Sequence, residues 1–432
     1  SIILHIDEVR RDSVTYLILG EMLESLGWTV FFSNRFTITN LYNIIKPSAV
    51  SCHNFSTLSL DSLPEIHKNT DIFIIPGEFY IPSEFQIRKL YRKEGYEGYN
   101  KYVKKIFSWG HIQKQMLVQN KIFDENQIEV TGCIRHDLFY LLNKSKNIVE
   151  QKSVGFISDL CPINVYDNRH IFQSINQGRK SHGLIYQKNG NIEDFYWTFI
   201  SSARITYEIY DELIKQNFSF PVIYRTHHRE NIDSYSVFKE IYKNYFIIDK
   251  DDFHEFMFRN HSIIAFSSTA LLEAIMLNKP SIFLGGINYK KAKEHLDISN
   301  YFYPFLDYCL KPETVEEAVH MISESLTDKL NLDLYKNNFI QKHIYDYFDY
   351  PRGYSSIKRI AESIDKNCSK KSKRLSRLEI MLIKSNFYKK HIKHIIYKKR
   401  SVKTDLLNNN FCPWYHKDKV KKAKELFKYL KG

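Results

Sequence analysis

Apolar and polar positions along this chain follow a repeating rhythm of short apolar runs and longer helically spaced stretches. SIILHI (1–6) is a short apolar run, and DSVTYLILGEMLESLGW (12–28) then places its apolar residues at helical spacing. TVFFS, PSAVSCHN and TDIFIIPGEFY follow as further runs, YVKKIFSWGHIQKQMLVQN reads as a strand passing into a helix, and QIEVTGC as another strand. Strands alternating with helices predict a parallel sheet covered on both faces. A polar stretch, NKSKNIVEQKS (143–153), reads as a linker. The rhythm then restarts with VGFISDL, a long helix across 195–217, the strands PVIYRTHH and YFIID, a helix from Asp251, the strand SIIAFSS with its helix, and SIFLGG. The pattern predicts two doubly wound α/β domains in tandem, 1–145 and 150–325, facing a cleft where ligands sit at the carboxyl ends of strands. KPETVEEAVHMISESL and the residues after it, 326–365, read as closing helices.

Composition changes the picture in two places. The 432 residues suit two or three domains, and no run reaches the ~18 apolar residues a spanning helix needs. The opening SIILHIDEVRRDS, with Asp7 and Glu8 so early, reads as a strand and not as a signal peptide. Cys52, Cys133, Cys161, Cys309, Cys368 and Cys412 form no CxxC pair, which fits a reducing cytoplasm and speaks against a zinc site. The net charge of +13 is unevenly placed. From Lys366 onward there are 21 Lys/Arg against 4 Asp/Glu, a net +17, while the preceding 365 residues hold 41 against 45, a net −4. The body is mildly acidic and the appendage 366–432 is basic, which predicts an anionic surface as partner and not a nucleic acid. Within it Leu378, Met381, Leu382, Tyr388, Ile392, Ile395 and Ile396 share one helical face, and Arg377, Lys384, His391 and Lys398 another. A basic amphipathic helix of this kind reads as a membrane-surface element.

Candidate chemistry collects at predicted strand ends. SIIAFSSTALLEA is a strand, a small-residue turn and a helix, with Ser267, Ser268 and Thr269 at the lip and Glu273 one turn in. Such a lip suits an anion, with Glu273 placed for a ribose hydroxyl; an ordinary helix cap reads equally well. VIYRTHHREN (222–231) ends a strand in Arg225, Thr226, His227, His228 and Arg229, where arginine can clamp phosphate and histidine can donate to it. Asp159 ends VGFISDL, and Glu78 in IIPGEFY holds the equivalent lip in the first domain. Each is either catalytic or a cap for the following turn. The Asp-x-Asp of DKDDF (249–253) reads as a helix start, so no metal is expected. GxSxG and GxxxxGK[ST] are both absent.

With these residues in view, the chain resembles bacterial surface-carbohydrate biosynthesis proteins of the GT-B type, the transferases of Kdo and related ulosonic acids from CMP-sugars. HIDEVRRDSVTYLILGEMLESLGWTVFF (5–32) looks like that family's opening strand, Glu-x-x-Arg segment and helix. IFSWGHIQKQML followed by IEVTGCIRHDLF looks like its WGxxQ … TGxxRxD passage, VIYRTHHREN stands where the family carries Arg-Pro-His-Pro, and SSTALLEAIMLNKPSIFLG looks like its donor-phosphate motif. Thr226 and His228 replace both prolines. The resemblance implies a GT-B-like fold, donor binding by Arg225, His227, His228, Ser267, Ser268, Thr269 and Glu273, and an acceptor side with Glu8 and Arg11. It also implies metal-independent transfer of an ulosonic acid from CMP-Kdo or a related CMP-sugar to a glycan or lipid-linked glycan. Asp159 would be the nucleophile of a retaining reaction and Glu78 the base on the acceptor, at the inner face of the bacterial cytoplasmic membrane. THHREN (226–231) is also similar to the THRREN of UDP-N-acetylhexosamine 2-epimerases, although the Ser-Gly-Gly turn and paired acids of those enzymes are replaced here by Ser-Ser-Thr and a single Glu273. A teichoic-acid-type glycerophosphotransferase shares the fold and the basic surface. A non-enzymatic scaffold recruited to the membrane through the tail is the remaining alternative.

Overall fold

The computed structural model of the chain describes residues 1–6, 9–34, 37–54, 66–77, 91, 98–145, 150–165, 170–176, 192–227, 230–243, 245–249, 252–290, 292–293, 304–327, 343–349, 355–368 and 417–431. They form two compact units, Ser1–Asn147 with Ile344–Gly432, and Ile148–His343.

Unit 1 is built on six parallel strands: β1 (Ile2–His5), β2 (Val30–Ser33), β3 (Ala49–Cys52), β4 (Asp71–Ile74), β5 (Val103–Ser108) and β6 (Ile128–Val130). Their order is β2-β1-β3-β4-β5-β6. β1 is buried along its whole length, as a parallel strand covered on both faces requires. The helices are α1 (Val9–Ser25), α2 (Ile38–Ile45), α3 (His111–Gln119) and α4 (Ile134–Ser145). The chain winds from β1 to β2 on one side and returns through β3 on the other. The switch in direction therefore falls between the carboxyl ends of β1 and β3.

Unit 2 carries β7 (Gln151–Ile157), α5 (Ile192–Lys215), β8 (Val222–Arg225), α6 (Ser236–Ile241), β9 (Phe246–Ile248), α7 (Phe253–Arg259), β10 (Asn260–Ala265), α8 (Ala270–Met276), β11 (Ser281–Phe283) and α9 (Val315–Ser325). Its parallel sheet runs β11-β10-β7-β8-β9, so the switch lies between β7 and β10. Much of the chain's high aromatic content goes into this unit's core. Phe156, Tyr210, Tyr224, Phe238 and Phe246 are buried together, with ring centroids 4.6 to 6.3 Å apart in edge, tilted and stacked pairs.

The stretch 326–365, expected as one closing segment, divides at 343/344, and everything after it belongs to unit 1. There it forms α10 (Tyr345–Phe348), α11 (Ser356–Asn367) and α12 (Lys417–Lys431). Asp137 at the start of α4 is the anchor of this return. Its carboxylate accepts from the Ser355 hydroxyl at 2.5 Å and from the N–H groups of Ser356 and Ile357 at 3.0 and 2.7 Å. The orphan donors of α11's first turn are thus met by an acid from the far end of the unit's sequence. Gly132, at φ +85°, lies where a Cβ would be 2.5 Å from the Ser356 hydroxyl, so only glycine lets α11 come this close. Trp28 Nε1 donates to Asp365 at 2.8 Å, and Arg359 pairs with Asp349 at 2.5 Å. Near the end of the basic appendage stands α12, fifteen residues long, which packs on α1 and α4 through buried Ala423, Leu426 and Phe427. The amphipathic stretch 377–398 lies outside the described residues.

Candidate functional site

In unit 2 three strand ends meet at the switch. β7 ends in Ser158 and Asp159, β8 in Arg225, Thr226 and His227, and β10 in Phe266, Ser267, Ser268 and Thr269. Asp159 is at the position its sequence reading gave it, just past the end of a central strand. Both its carboxyl oxygens are buried without a hydrogen-bond partner among the described residues. Its own N–H and then Ser202 of α5 act to lower its pKa, yet the Ser202 hydroxyl donates to the Thr198 carbonyl at 3.0 Å. Burial is the main effect on Asp159, and the nearby Glu230 adds to it, pushing its pKa up to about 8.

Glu230 is the partner the sequence reading missed. It is 4 % exposed, and burial pushes its pKa up to about 7. That rise is limited by donors. Tyr235 gives its hydroxyl proton to Oε2 at 2.7 Å, Ser158 donates to Oε1 at 2.9 Å, and the N–H groups of His227 and Cys161 also favour the charged form. Tyr224 stands 3.5 Å behind Tyr235, hydroxyl to hydroxyl. Glu230 was visible only as one letter of THHREN; no periodicity or spacing marks a residue five positions past a strand end as buried.

The other expected residues are placed as follows. Arg225 pairs with Asp249 at the end of β9 and lies over the rings of Phe253 and Phe256, 5.4 Å from each centroid. Its guanidinium is engaged inside the unit, and so is the first acid of DKDDF. Asp252 of the same stretch is the N-cap position of α7. His227 is exposed at the end of β8. Ser267, Ser268 and Thr269 are half-buried at the start of α8, where the Ser268 hydroxyl accepts from the Ala270 N–H at 3.2 Å, a local cap. Glu273 is buried within α8. Glu8, Glu78 and His228 lie outside the described residues.

Unit 1 gathers its own polar groups at its switch. His5 and His53, at the ends of β1 and β3, meet edge to face with centroids 4.8 Å apart. Gly77 leaves room for the His53 ring, since a Cβ there would fall 2.1 Å from Nδ1. Arg11, expected on the acceptor side, donates to Asp12 at 2.8 and 2.9 Å. Burial alone would raise the Asp12 pKa, but Arg11, with Arg135 and His53, outweighs it and holds it at about 2. The WGxxQ and TGxxRxD residues have structural tasks. The Trp109 indole donates to the Pro76 carbonyl at 3.0 Å, Gln113 accepts from the Trp109 N–H at 2.6 Å, Arg135 lies over the Trp109 ring, and Asp137 caps α11.

No protein-family profile matches this chain, and no curated protein matches it. Solved structures do. UDP-GlcNAc 2-epimerase from Neisseria meningitidis, bound to UDP-GlcNAc, is 13% identical over 85% of this chain and 100% of that one, with a TM-score of 0.48. The UDP-GlcNAc 2-epimerase of Methanocaldococcus jannaschii is 13% identical over 84% and 99%, at 0.46. The wall teichoic acid polymerase TagF is 12% identical over 85% and 88%, at 0.48. The similarity is distant and structural. It is the two strand orders that define the fold, α/β with two parallel Rossmann-like sheets. Among the described residues no helix is long and apolar enough to cross a membrane.

Proposed function

We propose that the chain is an enzyme acting on a nucleotide-activated sugar at the switch of unit 2, with Asp159 and Glu230 as its acid and base. The observation that carries this reading is the carboxyl pair itself. Two acids, Glu230 buried and Asp159 half-buried with both oxygens covered, have pKa values raised to about 7 and about 8 and can give and take protons near neutral pH, which exposed carboxyls cannot. Breaking a sugar–phosphate bond needs charge support on the leaving side and removal of a proton elsewhere. One acid and one base on the same unit supply both.

Two narrower forms follow. Glu230 belongs to THHREN, the stretch similar to the 2-epimerases, and this favours proton removal at the sugar with loss and return of the nucleotide. Transfer of an ulosonic acid from a CMP-sugar is the second form, supported by the motif order in the sequence. It has less support, because the WGxxQ and TGxxRxD residues serve the packing of unit 1 and burial shifts Asp159 toward its protonated form. A protonated carboxyl is a proton donor and a poor nucleophile. A thermal-shift panel of UDP-GlcNAc, CDP-glycerol, CMP and GDP separates the forms. UDP-GlcNAc is expected to stabilise most, by ~2.7 kcal/mol at a hundredfold excess over its dissociation constant, and incubation in D2O to place deuterium on the sugar's C2. Stabilisation by CMP alone would move the assignment to transfer, and no shift with any nucleotide would remove the enzyme reading.

The basic appendage is assigned in the same proposal to an anionic lipid surface. Because α12 is part of unit 1, substitution tests this better than truncation. Protein with Arg377, Lys384 and Lys398 replaced by Ser is expected to lose sedimentation with phosphatidylserine vesicles at ~0.1 M salt, where the parent sediments with them and not with neutral vesicles. Equal sedimentation of both proteins would refute the lipid assignment.

A further inference from the structure

Asp159 and Glu230 are not equivalent, and the difference lies in which of them is given hydroxyl protons. Ser158 and Tyr235 own one hydroxyl proton each. Ser158 Oγ is 2.9 Å from Glu230 Oε1, and Tyr235 Oη is 2.7 Å from Oε2. Each carboxyl oxygen of Glu230 thus receives one hydroxyl. The two hydroxyl oxygens stand 3.2 Å from one another and either could donate to the other, but directing both protons at the carboxylate serves both of its oxygens. The neighbouring groups fit this direction. The Leu160 N–H donates to Ser158 Oγ at 3.2 Å, and Tyr224 Oη stands 3.5 Å from Tyr235 Oη, which leaves Ser158 and Tyr235 as acceptors from behind and donors in front. Asp159, the next residue after Ser158, is less well served: its buried oxygens make no hydrogen bond among the described residues, and the only donors near enough to favour its charge are its own N–H and the Ser202 hydroxyl, which is given to Thr198.

Hydrogen bonds donated to a carboxylate stabilise its charged form, and burial without donors stabilises the neutral form. Two acids close enough to feel one another do not both ionise at low cost, so one proton is retained by the pair. We propose that Ser158 and Tyr235 are positioning residues that fix the negative charge on Glu230 and leave the retained proton on Asp159, making Glu230 the base and Asp159 the acid. This assignment rests on the enzyme reading for its use in catalysis, but the placement of the proton does not. The groups facing the pair are Tyr224 and Ser158 at the sheet, Tyr235 before α6, Ser202 of α5, and the N–H groups of Asp159, His227 and Cys161. His228 and Arg229, adjacent in sequence, are outside the described residues.

The test is a carboxyl ¹³C NMR titration of the full chain without substrate, with the two signals assigned by Asp159→Asn and Glu230→Gln. Glu230 is expected to ionise first and Asp159 at higher pH. Tyr235→Phe should move the Glu230 midpoint up by about one pH unit or more, the effect of one lost hydrogen bond to a charged acceptor, and Ser158→Ala should move it the same way. A purely structural role for these hydroxyls would lower the melting temperature and leave the midpoints in place. Two results overturn the proposal: Asp159 ionising before Glu230 in the parent protein, or a Glu230 midpoint unmoved in Ser158→Ala, the milder variant should Tyr235→Phe fail to fold. Absence of turnover on every nucleotide sugar would end the enzyme reading and leave the titration result standing, so the two failures are distinguishable.

Discussion

Asp159→Asn is expected to abolish turnover and, above pH 8, to melt higher than the parent protein. The sign follows from proton linkage. The pKa of Asp159 rises from an ordinary 3.8 to about 8 in the fold, so between those values the folded chain holds a proton that the unfolded chain has released. Its contribution is most favourable below the unfolded pKa and is lost progressively as pH rises toward 8, at about 1.4 kcal/mol per pH unit for one full proton. Glu230, raised from 4.5 to about 7, adds a loss in the same direction over a narrower window. The substituted amide would keep the shape of the neutral acid and never ionise, so the variant's stability should fall less between pH 5 and 8. The gain at pH 8.5 is expected to be several kcal/mol, read as a higher melting temperature and a flatter pH dependence. Glu230→Gln should show no such gain, because an amide offers one acceptor where Ser158 and Tyr235 now have two. Nucleotide binding should survive Asp159→Asn, since the acid takes part in proton transfer. A variant with the parent's pH slope would show that Asp159 is not the proton holder, and a variant with normal turnover would remove it from the chemistry.

That a stabilising change should cost activity is expected of a site where charge is buried for use. It also separates what the sequence shows from what it hides. Strand ends are legible, because a buried parallel strand is a continuous apolar run that stops abruptly. Asp159 and Arg225 could be found that way. What an end residue touches is not legible, because it is set by neighbouring strands far off in sequence. Arg225 reads as a phosphate clamp, and nothing in the sequence announces that β9 places Asp249 beside it. Glu230 reads as one polar residue among several until Ser158, seventy-two residues earlier, is found donating to it. Asp137 is the clearest case. In the sequence it belongs to a motif similar to a transferase family. In the structure it caps a helix that begins more than two hundred residues later, so the motif records how unit 1 closes. The order of strands and helices needed only local patterning; the roles of polar residues needed long-range contacts. The same limit applies to the C-terminus, where charge dominates the composition and conceals the short apolar spacing of Ala423, Leu426 and Phe427.

Removing α12, by ending the chain after residue 416, is therefore expected to destabilise unit 1. Ala423, Leu426 and Phe427 are 1 %, 3 % and 7 % exposed, at i, i+3 and i+4, so one face of the helix is sealed against α1 and α4. Burying a Leu and a Phe is worth ~1.5–3 kcal/mol each, and the deletion also exposes the apolar surfaces they cover. The polar contact adds little: Lys424 and Glu21 are 3.8 Å apart with the lysine largely exposed. Apolar packing thus decides the outcome, and Leu426→Ala alone should cost ~2–4 kcal/mol. Since the chain has two units, a single melting temperature would mix them, and hydrogen exchange is the better readout. Amide protection in α1 and α4 should fall in the truncated protein, while protection in the β7–β8–β10 core of unit 2 stays as in the parent. Replacing Lys421, Lys424 and Lys428 with Gln should leave α1 protected, because those lysines are exposed and the one pair they make with α1, Lys424 with Glu21, adds little. If α1 keeps its protection without α12, the helix is a passenger on unit 1, and the basic appendage returns to being a tail with one role, its charge.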